Sequence, residues 1–311
     1  LGRFLGSWGV IAQRGAAWFE VAEVLLSIGT LAGLSAARHL SEAAPSAAQL
    51  RPHLQTLKEE QPPFIYVCGG KSRTPSNTAE RFCLKTWQWE ALPPMHIPRR
   101  ACAVATVHGK FYVLGGVDIT QVDIGRSSKY QPESYNPATN RWELLSPLAR
   151  PCTHAAAAAA GGLVYLFGGL SAGCVLDQAQ CLDPACDLWE SLEPLPTPRF
   201  ECTAVTSRGQ IYVLGGSNQA GVPLAVAERY DLAGEAWGRM PPMNQARYGC
   251  AASAVAGKIY ALGGRLPSGA IADAEVFDPG AGAWERLPRM PAPRGRCGSA
   301  ALAGRVLVLG G

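Results

Sequence analysis

A single interval, a tryptophan followed 26 residues later by a Gly-Gly doublet, recurs five times in this chain. The tryptophans are Trp89, Trp142, Trp189, Trp237 and Trp284. With one more doublet before the first tryptophan, the doublets begin at Gly69, Gly115, Gly168, Gly215, Gly263 and Gly310. Successive doublets lie 46 to 53 residues apart, and each ends a short apolar run. An interval repeated this often indicates one structural unit copied along the chain, and it constrains the fold strongly.

Each unit is predicted to contain four short strands joined by turns. From the second unit on, a glycine stands six residues before the doublet and opens an apolar run, as in residues 109–114, and a run of small residues precedes it. The glycine supplies the positive φ that a tight hairpin needs. An aromatic residue or leucine stands seven residues before each tryptophan, often followed by a turn dipeptide such as Asn136-Pro137. Because a lone four-stranded sheet cannot bury both faces, neighbouring sheets must stack, as propeller blades do.

Over roughly residues 63 to 311, the doublet, the tyrosine or phenylalanine and the tryptophan resemble the kelch repeat, and most of all the propeller of Kelch-like proteins. The resemblance implies an all-β kelch β-propeller of the six-bladed type. We interpret the five tryptophans as packing between blades. The residue count does not close the ring, because residues 64–92 supply three strands and the chain stops at Gly311, two strands into another unit. We therefore expect an incomplete sixth blade, unpaired sheet edges and a truncated or fragmentary product.

Residues 1–62 differ from the repeats and are predicted to be a separate N-terminal segment, partly helical or disordered. We expect a helix or two over residues 18–40 and a linker over 41–61. The apolar stretch 24–37 has 14 residues, fewer than the roughly 20 that cross a bilayer, so no membrane association is predicted. In Kelch-like proteins a BTB domain and a cullin-holding BACK domain precede the propeller, but no BTB pattern is visible here. A cullin is therefore expected as a partner only if the full-length product has those domains.

Composition narrows the class of partner and the compartment. The net charge of +4 is too mild to indicate nucleic acid. Four of the ten cysteines recur 13 residues before a doublet, on different units, and the others show no disulfide framework. This pattern favours a reducing compartment and a cytoplasmic location. No cofactor or metal site is predicted.

The resemblance places two sets of loops on one face, those entering the innermost strands and those following the doublets. Arginines 16 residues before the doublets are expected to brace these loops through carbonyl hydrogen bonds; they are Arg99, Arg199, Arg247 and Arg294, and Cys152 breaks the series. The residues at the two positions after each of these arginines vary from unit to unit, as expected of a surface that recognises a ligand. In relatives that bind acidic peptides, the pocket arginines occupy the second of these two positions, and here only Arg296 matches. The predicted partner-binding residues are Lys71, Arg73, Arg100, His154, Phe200, Tyr248, Arg265 and Arg296. The long loop 117–129 is expected to overhang this face and add selectivity.

These residues predict a cationic, partly aromatic surface for a peptide or loop of a protein partner, because guanidinium groups pair with carboxylates and aromatic side chains anchor interfaces. By resemblance the chain would be the substrate-recognition propeller of a cullin-RING ubiquitin ligase adaptor. The alternatives are an actin- or cytoskeleton-binding kelch scaffold and, third, a carbohydrate-active copper oxidase. Catalysis is not expected, because only His154 of the five histidines is predicted to face the surface and one histidine makes no metal site.

Overall fold

The computed structural model describes residues 24–27, 64–69, 76–83, 86, 88–116, 131–302 and 304–311. Within these residues the regular secondary structure is all strand, arranged in five four-stranded sheets, one larger two-stranded sheet and two small surface hairpins. Among the described residues, no helix has the length and apolar character needed to span a bilayer.

The strands of the five four-stranded sheets have the following bounds. The first sheet contains β1 (Val24–Ser27), β2 (Phe64–Cys68), β3 (Ala79–Cys83) and β4 (Gln88–Leu92). The second contains β5 (Ala103–Val107), β6 (Lys110–Leu114), β7 (Glu133–Asn136) and β8 (Arg141–Leu144). The third contains β9 (Ala156–Ala160), β10 (Leu163–Phe167), β13 (Ala179–Asp183) and β14 (Leu188–Ser191), with the hairpin β11 (Leu170–Ser171) and β12 (Cys174–Val175) inserted.

The fourth sheet contains β15 (Thr203–Ser207), β16 (Gln210–Leu214), β17 (Ala227–Asp231) and β18 (Ala236–Arg239). The fifth contains β19 (Ala251–Val255), β20 (Lys258–Leu262), β23 (Ala274–Asp278) and β24 (Ala283–Leu287), with the hairpin β21 (Arg265–Leu266) and β22 (Gly269–Ala270) inserted. The chain ends with the two-stranded sheet of β25 (Gly298–Leu302) and β26 (Arg305–Leu309).

The second to fifth sheets are antiparallel meanders that run outward from the small-residue strand to the tryptophan strand. Their innermost strands contact one another in the order β5, β9, β15, β19, and β19 then contacts β25. Short side chains on these strands allow the sheets to converge around a common axis. The five four-stranded sheets are therefore the blades of a β-propeller.

Four of the five tryptophans join neighbouring blades, as the sequence predicted, whereas the ring of Trp89 contacts Phe82 of its own blade. Each of four indole N–H groups donates a hydrogen bond to a backbone carbonyl just after the tryptophan strand of the preceding blade, as Trp237 does to Glu193 over 2.8 Å. The ring of Trp237 also packs edge-on against Phe167 of the preceding blade, with centroids 5.5 Å apart. Four core clusters lie between successive blades up to the fifth. The tryptophan of the later blade is a member of one of them and packs against each of the other three.

The Gly-Gly doublets are required where one blade meets the next. In the third blade, a Cβ on Gly168 would overlap the carbonyl oxygen of Arg199, which precedes the fourth blade. The amide of Gly169 donates to that same carbonyl over 2.8 Å, and its φ of +105° is one that side chains rarely adopt. The doublet therefore lets two backbones approach closely, which explains why it recurs in every unit.

The N-terminal segment departs from two predictions. Residues 24–27, expected to be helical, form strand β1, which pairs in parallel with β2 and contacts β5 and β25. The first blade therefore has a fourth strand at its innermost position, although no small-residue strand precedes β2 in sequence. The physical reason is that the inner edge of β2 offers unpaired backbone groups, and this short apolar run satisfies them. The rest of the predicted helix and the linker lie outside the described residues.

Candidate interaction surface

Buried arginine–glutamate pairs hold the loops that enter the innermost strands. Arg99, Arg199 and Arg247 each donate from Nη1 to the carbonyl of the first glycine of their own doublet, and Arg294 does the same. The predicted carbonyl brace is thus confirmed. The first three also pair through Nη2 with a carboxylate on the third strand of the blade, at 2.9, 2.5 and 2.6 Å, and both side chains of each pair are at most 2% exposed. Their partners are Glu133, Glu228 and Glu275.

The carboxylates extend the brace to the preceding loop. Both oxygens of Glu275 accept backbone N–H groups, from Asn244 over 2.7 Å and from Gln245 over 3.0 Å. Sequence reasoning missed these acidic residues, although a signal existed, since each stands nine residues before a tryptophan. In the third blade that position holds Gln180, and the position of the arginine holds Cys152. Both members of the charged pair are absent there together, so neither charge is buried without a partner.

A belt of backbone hydrogen bonds runs across the mouth of the central channel. Its members occupy the position two residues after the braced arginine or Cys152, and all have φ between +52° and +57°. They are Ala101, His154, Glu201, Gly249 and Arg296. From His154 on, the amide of each member donates to the carbonyl of the member before it, at 2.9, 2.8, 2.7 and 2.6 Å in turn. The belt gives the side chains at the mouth a rigid backbone.

Behind the belt lies a cavity of about 220 Å³, lined by the belt residues and by the first residues of the innermost strands. Most of its lining is alanine, glycine, serine and cysteine. The lining cysteines are buried, and burial raises the pKa of Cys202 and of Cys297 to about 11 and that of Cys250 to about 12. They are thiols at neutral pH, and all ten cysteines of the chain are free.

Arg296 and Glu201 form an ion pair across the channel mouth. Nε of Arg296 lies 3.1 and 3.2 Å from the two carboxylate oxygens, and Nη2 lies 2.6 Å from Oε1. The carboxylate side chain is 6% exposed and the arginine 32%. The residue predicted to clamp an acidic ligand therefore already holds a carboxylate of its own chain, a partner that sequence reasoning did not identify.

His154 lies beside this pair. Its Nε2 is 3.6 Å from Oε1 of Glu201, and its Nδ1 is 2.9 Å from the hydroxyl of Thr153. Burial lowers the pKa of His154 below 6.5, which outweighs the opposing effect of Glu201 and is assisted by the charges of Arg296 and Arg100. The imidazole is therefore neutral at neutral pH, and it packs edge-on against Phe200 with centroids 6.3 Å apart.

The two predicted sets of loops are paired with each other. Phe200 and Ser217 exchange backbone hydrogen bonds of 3.1 and 2.8 Å, and Tyr248 and Arg265 exchange bonds of 3.3 and 2.8 Å. Each entry loop thus lies against the loop that follows the doublet of its own blade. The side chain of Arg265 crosses Gly295, where a Cβ would overlap it.

The structure thus brings six of the eight predicted binding residues to this surface, namely Arg100, His154, Phe200, Tyr248, Arg265 and Arg296. All six are half-buried. Lys71, Arg73 and the long loop 117–129 lie outside the described residues. We call the surface formed by these six residues and Glu201 the mouth surface.

The mouth surface offers hydrogen-bond donors, aromatic rings and positive charge rather than reactive groups. In the part of the chain that the structure describes, no three His, Cys, Asp or Glu side chains are grouped as metal ligands. Among the described residues, neither Arg100 nor Arg265 forms an ion pair.

The family model described as KLHDC2/KLHL20/DRC7 Kelch-repeats domain matches residues 51–216 and 153–311. Kelch-like protein 33 of Homo sapiens is 34% identical over 110 residues, which are 34% of this chain and 19% of that protein. An F-box/kelch-repeat protein of Arabidopsis thaliana is 39% identical over 80 residues, 26% of this chain and 18% of the relative. The matched part thus spans about a fifth of each relative's length. The solved structure of YjhT has a TM-score of 0.67 at 15% identity and covers 78% of this chain and 89% of its own.

Proposed function

This chain belongs to the kelch-repeat family, and from that premise we propose that it is a non-catalytic protein-recognition module that binds a peptide or loop of a partner on the mouth surface. In this proposal the repeats of the propeller span residues 63–311, and the propeller is of the six-bladed type with β25 and β26 as the inner half of the last blade. The preceding segment 1–62 contributes strand β1 to the first blade, so it is not a fully separate unit. The module acts in the cytoplasm as the substrate-recognition part of a ubiquitin ligase adaptor.

The observation that carries the proposal is the architecture of the mouth surface. Rigid backbone pairing fixes Phe200, Tyr248 and Arg265 in position, while the identities of the residues at the corresponding positions differ from blade to blade. Aromatic and arginine side chains on a fixed frame are the residues that anchor protein interfaces. The guanidinium groups of Arg100 and Arg265, which form no ion pair within the described part of the chain, favour a partner segment with acidic side chains at the rim.

The adaptor role is supported by the names of relatives. Similar proteins include the F-box/kelch-repeat protein of Arabidopsis thaliana and Kelch repeat and BTB domain-containing protein 12 of Danio rerio. Co-purification of a cullin with the full-length product tests this role. A protein that instead co-sediments with filamentous actin and recovers no cullin would favour the cytoskeletal alternative.

The binding surface is tested with the double variant Arg100→Ala/Arg265→Ala, which leaves the ion pair of Arg296 intact. The control, Arg141→Ala/Arg286→Ala, removes two exposed arginines from outer strands. Proximity labelling in cells should mark partners of the wild type whose labelling falls about tenfold or more with the mouth variant. A tenfold loss of affinity corresponds to about 1.4 kcal/mol of binding free energy. The control should keep them, and both variants should unfold at the wild-type temperature. Equal labelling by all three proteins would exclude the mouth surface as the binding site.

A further inference from the structure

The ion pair between Glu201 and Arg296 has a consequence for what the mouth surface can bind. We propose that Glu201 acts as an internal carboxylate that occupies Arg296, so that the centre of the mouth surface accepts an uncharged part of the partner and rejects an acidic side chain. This inference rests on the proposed function, because it assigns where along a bound segment acidic groups are tolerated.

The geometry of the pair shows how fully Arg296 is engaged. The Nε and Nη2 edge of the guanidinium faces both carboxylate oxygens at 2.6 to 3.2 Å. Gly249, the belt residue of the intervening blade, makes room for this contact. A Cβ on Gly249 would lie 3.0 Å from Cγ of Arg296 and 3.4 Å from Oε2 of Glu201. The pair is thus assembled by three consecutive blades.

Charge and exposure determine what the paired guanidinium presents to a partner. The carboxylate lies beneath the arginine and is nearly buried, so solvent screens it weakly. The pair has no net charge, and His154 beside it adds none at neutral pH. A second carboxylate brought to Arg296 would therefore meet Glu201 as a like charge within a few ångströms.

A neutral acceptor is compatible with the pair. Nη1 of Arg296 has no hydrogen-bond partner among the described residues, so the outer edge of the guanidinium can donate to a peptide carbonyl or a side-chain amide oxygen. Arg100 and Arg265, which have no carboxylate partner in the described part of the chain, can instead receive acidic side chains. The mouth surface is thus divided into a neutral centre and a cationic rim.

The test is a selection from a random peptide display library, performed on the full chain as wild type, as Glu201→Gln and as the control Glu285→Gln. The control makes the same charge change at an exposed position on β24. For a peptide that the wild type selects, each position is replaced in turn by Glu and by Gln, and the Kd of each pair is measured. The proposal predicts one central peptide position at which the wild type binds the Glu peptide more weakly than the Gln peptide. At that position, Glu201→Gln should change the ratio of the two Kd values in favour of the Glu peptide by about tenfold. The control should match the wild type.

A second variant separates the charge effect from damage to the fold. In the double variant Glu201→Gln/Arg296→Gln the site is again uncharged, so the gain for Glu should disappear. The inference is wrong if the wild type disfavours Glu at no position, or if Glu201→Gln leaves the ratio of the two Kd values unchanged. In either case the proposed function stands as long as Arg100→Ala/Arg265→Ala still loses the peptide. If no peptide is enriched, or if the peptide binds the Arg100→Ala/Arg265→Ala variant unchanged, peptide recognition by the mouth surface is wrong, and the inference fails with it.

Discussion

At the scale of single residues, guanidinium groups fix both the entry loops and the channel mouth. The entry-loop arginines bond to doublet carbonyls, and Arg296 bonds to Glu201. The braced arginines were predicted from recurrence alone, whereas the carboxylate that engages Arg296 was not, because Glu201 lies 95 residues away in sequence. That contact depends on how three successive sheets pack, which no local pattern encodes. The paired Glu133, Glu228 and Glu275 were within reach of sequence reasoning, since they recur at a fixed distance from the tryptophans.

His154 gives the clearest pH-dependent prediction at this scale. Burial holds its pKa below the value of 6.5 that it has in an unfolded chain, so as the pH falls below 6.5 the unfolded chain takes up the proton first. The stability that neutral His154 contributes is therefore full above pH 6.5 and declines as the pH falls from there towards the folded pKa. NMR titration of the imidazole should show a pKa below 6.5.

A paired variant checks the cause of the shift in the pKa of His154. Glu201 favours the imidazolium, so Glu201→Gln should lower the pKa of His154 further. A pKa above 6.5 in the wild type, or a rise in the Glu201→Gln variant, would show that the side chain is not buried beside this carboxylate as described.

At the scale of the blade, periodicity predicted most of the structure. The tryptophan strands, the hairpin glycines and the doublets lie where the sequence placed them, because each is a local pattern repeated on a fixed frame. Strand β1 was missed for the opposite reason. Its pairing with β2 joins residues about forty positions apart, and its short apolar run carries no periodicity that distinguishes strand from helix.

The contribution of the tryptophans can be measured by comparing two of them. Trp142 is 7% exposed and contacts the preceding blade through both its ring and its N–H group, so Trp142→Ala should lower the free energy of unfolding by roughly 3–5 kcal/mol. Trp237 is more exposed, and Trp237→Ala should cost less. Chemical unfolding measures both. A loss below about 1 kcal/mol for Trp142→Ala would mean that the indole does not pack between blades.

At the scale of the whole molecule, the residues that pack between blades and the residues at the channel mouth form two different sets. The interfaces between blades use residues that recur in nearly every unit, whereas the belt positions at the channel mouth differ from blade to blade. Sequence reasoning could therefore locate the surface and most of its described residues. It could not predict the surface's charge, because Arg296 counts as a cation in sequence and as half of a neutral pair in the structure.

Hydrogen exchange of the full chain with its captured partner bound tests the central claim that this one face does the binding. The account predicts slower exchange at the amides of residues 153–154, 200–201 and 248–249, and none of that protection at the hairpin turns around Gly162, Gly209 and Gly257, at the opposite ends of the innermost strands. Protection confined to those turns or to the outer tryptophan strands would contradict it.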